Sequence, residues 1–112
     1  MTDAVEIVSD LVKIPSVSPF GRNETERRER FERCREVLAY LEEFLQKQGA
    51  QTEQLVFEGG HDKWWYPVPN LYAELTIGDR KAADHKFLCY MGHIDVVPVG
   101  EEKLWRRPPF SG

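Results

Sequence analysis

The sequence predicts an α/β layer fold with two helices followed by three strands. Two apolar patterns of helical period occupy the first half of the chain, and the second half changes to short apolar runs separated by glycine and proline. The order helix, helix, strand, strand, strand fits packed α/β layers better than a helix bundle or a β-sandwich.

The first helix is predicted over residues 3–14. Apolar side chains recur there at a helical period, at Val5, Ile7, Val8, Leu11, Val12 and Ile14. Thr2 can cap the start of this helix, acidic residues favour its positive end, and Pro15 ends it. Residues 15–22 contain two prolines and a glycine, so we expect an irregular loop there.

The second helix is predicted to begin at Asn23 and to end before Gly49. Asn23 with Glu26 resembles a capping box, and Gly49 suits the left-handed conformation that ends many helices. One apolar stripe lies between them, formed by Phe31, Cys34, Val37, Leu38, Leu41, Phe44 and Leu45. Residues 24–36 hold five glutamates and five arginines. Because these charges cancel, we interpret this part as a solvated face with ion pairs, not as an arginine-rich binding surface.

Three strands are predicted to follow. Residues 51–57 form an amphipathic run that ends at a Gly-Gly pair, and residues 70–77 alternate apolar and polar side chains as a half-buried strand does. Residues 87–91 form a continuous apolar run, which is typical of a strand covered on both faces. Residues 92–112 show no periodicity, and so long a structureless tail is unusual in a compact domain. We therefore expect a domain that is cut short after this segment.

The composition excludes several classes of protein. Apolar residues make up 41% and aromatic residues 12% of the 112 residues, which indicates a globular chain and not a disordered one. The net charge of −4 gives no electrostatic reason to bind nucleic acid or an anionic membrane. Two cysteines, Cys34 and Cys89, are too few for a disulfide scaffold. With no signal peptide, they indicate free, buried thiols and a cytoplasmic location.

The candidate site is the pair His93 and Asp95, directly after the third predicted strand. Open α/β sheets bind ligands at the carboxyl ends of their strands. Residues two apart on an extended backbone project from the same face. A neutral imidazole can bind a metal through one nitrogen while its other N–H donates to a carboxylate. By itself the pair is also consistent with a hydrogen bond between His93 and Asp95 that only stabilises the fold and binds no metal.

The residues around this pair resemble one family. Residues 92–98 read GHIDVVP, and they are followed by Trp105 and by a Pro-Phe pair at 109–110. This block resembles the metal-dependent exopeptidase family of succinyl-diaminopimelate desuccinylase, acetylornithine deacetylase, aminoacylase and carboxypeptidase G, which carries a Gly-His-x-Asp-Val-Val-Pro motif. Residues 11–18 are similar to the family's opening helix with its Ile-Pro-Ser turn. Residues 68–73 are similar to the strand that leads towards its metal site.

The resemblance implies that residues 1–112 are the N-terminal part of a zinc-exopeptidase catalytic domain, truncated after the His-x-Asp loop. Its three strands would then belong to a mixed, helix-flanked sheet. His93 would bind one of two zinc (or cobalt) ions, and Asp95 would act in catalysis as the carboxylate that orients His93. The reaction would be hydrolysis of the amide bond of a small N-acyl amino acid or peptide. The family's other metal ligands and its general-base glutamate follow the Pro-Phe pair and cannot be placed here.

The resemblance leaves two functions open: a piece of a working metallohydrolase, and an inert truncated product or non-catalytic relative. Catalytic zinc normally has three protein ligands, and this chain supplies one credible ligand. We therefore expect the 112-residue chain alone to be inactive, and to self-associate through the uncovered run at 87–91.

Other acidic and histidine pairs are poor substitutes for the missing ligands. Glu101 and Glu102 imitate the family's adjacent glutamates, but they sit in the loop before Trp105, and we interpret them as solvated. The pairs at 61–62 and 84–85 each join a histidine to an adjacent aspartate. Adjacent side chains on an extended backbone point to opposite faces, so neither pair is a good chelate.

Overall fold

The structure is a computed structural model that describes residues 3–59, 66–79, 81 and 86–112. The described residues form two helices, two strands and one short 3-10 turn, namely α1 (Ala4–Val12), α2 (Glu24–Lys47), β1 (Gln51–Gly59), β2 (Tyr66–Glu74) and the turn at Glu102–Leu104. The predicted α/β class and both predicted helices are confirmed. Neither helix in the described part of the chain is long and apolar enough to cross a membrane.

Helix α1 is short and largely exposed. Asp3 caps it, because its carboxylate accepts a hydrogen bond from the amide of Val5 at 3.0 Å. The predicted cap, Thr2, lies outside the described residues. The hydroxyl of Tyr40 donates to the Asp10 carboxylate at 3.3 Å, which links α1 to α2.

Helix α2 begins and ends where its sequence predicts. The Asn23 side chain accepts from the amide of Glu26 at 2.9 Å. The Glu26 carboxylate accepts from the amide of Arg22 at 2.6 Å, one residue before the cap. At the other end Gly49 has a φ of 91°, a conformation that glycine adopts without steric cost. The amide of Ala50 then donates to the Leu45 carbonyl at 3.0 Å, which satisfies one of the last carbonyls of the helix.

The sheet is a two-stranded antiparallel ribbon, and α2 packs against both of its strands. Its register runs from Gln51 opposite Glu74 to Gly59 opposite Tyr66. The buried members of the apolar stripe of α2 are Cys34, Val37 and Leu38. The remaining stripe residues are partly buried. Together with Ala50, the three buried side chains form the core of the described chain.

The second strand begins earlier than predicted, at Tyr66, and ends at Glu74. Pro67 and Pro69 therefore lie inside it, although prolines usually interrupt strands. Because the prolines are two residues apart, both direct their ring nitrogens to the same edge of β2. Within the described part of the chain the sheet has two strands, so one edge of β2 has no partner strand there. Ile77, predicted as half-buried, lies beyond the strand and is 83% exposed.

The third predicted strand is wrong for this chain. Residues 87–91 form no strand, and their large apolar side chains are at least 76% exposed. Cys89 is exposed as well, which corrects the prediction of a buried thiol, whereas Cys34 is buried as predicted; both are free. A strand forms only when a neighbour accepts its backbone hydrogen bonds, and no other described segment pairs with this one. The predicted mixed, helix-flanked sheet is therefore reduced here to the β1–β2 ribbon.

Self-association through residues 87–91 is the first testable prediction. This run is apolar and exposed, and its backbone groups can pair with the same run of a second copy. We expect the chain to sediment as dimers and larger species, and Leu88→Lys to shift it towards the monomer. Ser111→Lys adds the same charge at another exposed position and should leave the distribution unchanged. A single monomeric peak for the unmodified chain would contradict the prediction.

Candidate functional site

The segment that carries His93 and Asp95 is held against the loop that follows α1. The Val96 amide donates to the Ser16 carbonyl at 2.9 Å, and the Ser18 amide donates to the Val96 carbonyl at 2.8 Å. These bonds form a parallel bridge between Val17 and Val96. The Ser16 hydroxyl adds a third bond, to the Ile94 carbonyl at 2.7 Å. We call these three bonds the Val17–Val96 bridge.

The bridge fixes the main chain on both sides of Asp95, and His93 contacts that residue directly. The Nδ1 atom of His93 lies 2.9 Å from the main-chain oxygen of Asp95 and 3.2 Å from its carboxylate Oδ1. A main-chain carbonyl oxygen can only accept, so Nδ1 carries a proton. In the neutral ring the Nε2 lone pair is then free. Since the His93 side chain is 86% exposed, this nitrogen is accessible to a metal ion.

This geometry agrees with the spacing argument and adds a feature that the residue types do not reveal. The two side chains lie on the same side of the backbone, as expected for residues two apart. The nearer partner of His93, however, is the main-chain oxygen of Asp95, a group that every residue carries. Ser16 also contributes to the site, although a single serine in a loop gives no chemical indication of such a role. The signal that could have found it is its place in the Ile-Pro-Ser turn.

On its other side the loop contacts α2 through Arg30. The Arg30 guanidinium pairs with the Glu26 carboxylate at 2.7 Å, and its Nη1 donates to the carbonyls of Ser18, at 3.4 Å, and Phe20. Its side chain is 22% exposed, whereas that of Arg28 is 76% exposed. The predicted ion pairs four residues apart are confirmed for both arginines, whereas the predicted solvated face fits Arg28 and is wrong for Arg30.

An open pocket of about 740 Å³ lies between this loop and the His-x-Asp segment. Its polar wall contains Arg30, His93 and Asp95. Its apolar wall includes Phe20 and Val97. The arrangement offers an accessible imidazole nitrogen beside a surface on which an apolar group can pack.

Cys34 lies beneath the loop and takes no part in this chemistry. Its Sγ is 4.0 Å from the Ser16 carbonyl oxygen and 3.9 Å from that of Val17. Burial, together with the smaller effect of the negative charge of Asp95, raises the pKa of the Cys34 thiol to about 11. The thiol is therefore protonated at neutral pH, and a protonated thiol is a poor nucleophile.

The described residues offer one imidazole and no complete metal site. Among them, no group of three or more histidine, cysteine, aspartate or glutamate side chains is close enough to hold a metal ion. Glu101 and Glu102 are exposed at the 3-10 turn, and Glu101 pairs with Lys103 at 2.7 Å. The histidine–aspartate pairs at 61–62 and 84–85 lie outside the described residues.

Curated succinyl-diaminopimelate desuccinylases match the chain along nearly all of its length. That of Xanthobacter autotrophicus is 32% identical over 106 residues, which cover 95% of this chain and 22% of the relative. That of a Bradyrhizobium species is 32% identical over 112 residues, which cover 100% of this chain and 23% of the relative. That of Rhodopseudomonas palustris is 36% identical over 109 residues, which cover 97% of this chain and 22% of the relative. The chain is similar in sequence to one part of the succinyl-diaminopimelate desuccinylases.

This relationship confirms the resemblance predicted from residues 92–110. The chain spans less than a quarter of the length of these relatives, so the similarity concerns one part of each desuccinylase. No family model and no solved structure matches the chain.

The buried thiol gives a prediction about reactivity and pH. In a Cys89→Ser variant, alkylation of Cys34 should be slow at pH 8 and should accelerate as the pH approaches 11. Between the ordinary thiol pKa of 9.0 and about 11, the folded chain retains a proton that the unfolded chain loses. The free energy of unfolding therefore falls as the pH rises through this interval.

The matched control is Cys34→Ser, which leaves the exposed Cys89 to react rapidly. Equal alkylation rates for the two folded variants at pH 8 would show that Cys34 is not held beneath the loop.

Proposed function

We propose that residues 1–112 form the N-terminal part of the catalytic domain of a cytoplasmic, metal-dependent hydrolase that cleaves the amide bond of small N-acyl amino acids or peptides. The relationship to the desuccinylases supports this proposal. The observation that carries it is the contact of the His93 Nδ1 with two oxygens of Asp95, which leaves Nε2 available as a ligand.

The donor chemistry of this contact fits zinc. A neutral imidazole nitrogen is among the ligands that zinc prefers in proteins. His93 would hold a zinc ion through Nε2, and Asp95 would keep the proton at Nδ1 and so fix the tautomer and the ring orientation. Bound zinc in such a domain supplies Lewis-acid polarisation of the amide carbonyl. The remaining ligands would come from outside the described residues.

The pocket beside His93 suits a small substrate. The side chains of Phe20 and Val97 can pack against its acyl chain and exclude water from the amide. The charge of Arg30 is already neutralised by Glu26, so this arginine would shape the pocket wall and would not be the first partner of a substrate carboxylate. N-succinyl-diaminopimelate, the substrate in the name of the relatives, is the first compound to test.

A chimera provides the test of this function. Residues 1–112 would replace the aligned segment of the Xanthobacter autotrophicus desuccinylase, and hydrolysis of N-succinyl-diaminopimelate would be measured with zinc present. We expect the chimera to be active and His93→Ala to abolish its activity. Asp95→Asn should lower the activity roughly 10-fold, at the lower end of the range for residues that orient a ligand, because the main-chain oxygen still holds Nδ1.

Two controls make the result specific. Glu101→Ala removes an exposed carboxylate from the same loop and should leave the activity unchanged. The isolated 112-residue chain, in the same assay, should neither retain zinc through dialysis nor hydrolyse the substrate. A folded chimera that keeps full activity after His93→Ala would refute the role of His93. If the isolated chain retained stoichiometric zinc and hydrolysed the substrate, the prediction that its metal site is incomplete would be refuted.

A further inference from the structure

We propose that Arg30 is a positioning residue, which sets the geometry of His93 and Asp95 through the loop at residues 15–21. The inference rests on the proposed function, since the orientation of His93 has a catalytic consequence only if this residue binds the metal. One continuous series of contacts connects α2 to the His-x-Asp segment.

The first contact fixes the Arg30 guanidinium itself. Its Nη2 lies 2.7 Å from the Glu26 Oε1, and the second oxygen of Glu26 accepts from the Arg22 amide at 2.6 Å. Glu26 thus holds both the arginine and the end of the loop. Charge-assisted hydrogen bonds of this kind are stronger than neutral ones, and with 22% of the Arg30 side chain exposed this pair is less screened than its exposed neighbours.

The second contact passes from the guanidinium to the loop. Nη1 of Arg30 donates to the carbonyls of Ser18 and Phe20, two residues apart in the loop. The loop also lies directly on α2 at Gly21, where an added Cβ would come within 2.8 Å of the Arg27 amide nitrogen. The arginine therefore holds a loop that is already in close contact with the helix.

The third contact joins the loop to the site. The carbonyl of Ser18 accepts from Arg30, and the amide of the same residue donates to the Val96 carbonyl at 2.8 Å. Val96 follows Asp95, whose two oxygens hold the His93 ring. A displacement of Ser18 would therefore move the groups that fix the His93 tautomer. Lysine cannot replace this function, because a single ammonium does not present the planar fork that reaches a carboxylate and two carbonyls together.

The test compares Arg30→Ala with Arg28→Ala by NMR, using the 112-residue chain with Leu88→Lys to limit self-association. Two quantities are measured: hydrogen exchange at the amides of Ser18 and Val96, and the ring ¹⁵N shifts of His93, which report which nitrogen carries the proton. In Arg30→Ala we expect exchange at both amides to accelerate roughly tenfold or more, as loss of a hydrogen bond to a charged group implies. The fraction of His93 protonated at Nδ1 should fall. Arg28→Ala removes an equally charged but exposed side chain and should change neither quantity.

The proposal is overturned if Arg30→Ala retains the helical circular dichroism of α2 and leaves both quantities unchanged. If that variant loses its helical signal, Arg30→Lys decides, because it keeps the charge and lacks the fork. Faster exchange in Arg30→Lys supports the proposal, and exchange identical to that of the parent refutes it. Neither quantity depends on a metal or a substrate. A failure of His93 to bind zinc would thus refute the proposed function and leave the role of Arg30 in the loop intact.

Discussion

The candidate site depends on the Val17–Val96 bridge. Its three hydrogen bonds join distant parts of the chain, and Ser16 and Ile94 are 78 residues apart in sequence. The free energy of these bonds therefore has to offset the entropic cost of closing a long loop. One of them fixes Ile94, immediately before Asp95, and the other two fix Val96, immediately after it. The buried Ser16 supplies both a hydroxyl and a carbonyl to this contact. Without the bridge, the oxygens of Asp95 would have no fixed position relative to α2 and the loop.

Within that frame, the chemistry of the site is local. The main-chain oxygen and the carboxylate of Asp95 both contact the Nδ1 atom of His93. The position of the imidazole proton is therefore set by a residue only two positions away in the sequence. The same residue makes the environment of Cys34 more negative and helps to keep its thiol protonated. One aspartate thus contacts the imidazole of His93 and adds to the burial that keeps the Cys34 thiol protonated.

Local features were predictable from the sequence, and features that need a distant partner were not. The ends of α2 followed from Asn23 and Gly49 because capping involves only neighbouring residues. The apolar run at 87–91 has the composition of a buried strand, but a strand requires a neighbour that the described chain does not provide. Likewise, balanced charge on α2 cannot reveal that Arg30 faces a loop while Arg28 faces solvent. The family resemblance predicts roles for His93 and Asp95, whereas the contact of His93 with the main-chain oxygen of Asp95 involves a group that every residue carries and that no sequence pattern reveals.

The most direct test of the site is the zinc content of the purified chimera, with X-ray absorption at the zinc edge to count the imidazole ligands. Our account predicts that His93→Ala lowers the number of bound zinc ions per chain. It also predicts that any zinc that remains has fewer imidazole neighbours. Unchanged zinc content and an unchanged imidazole count in a folded His93→Ala chimera would contradict it, because the Nε2 atom left free by Asp95 would then bind no metal.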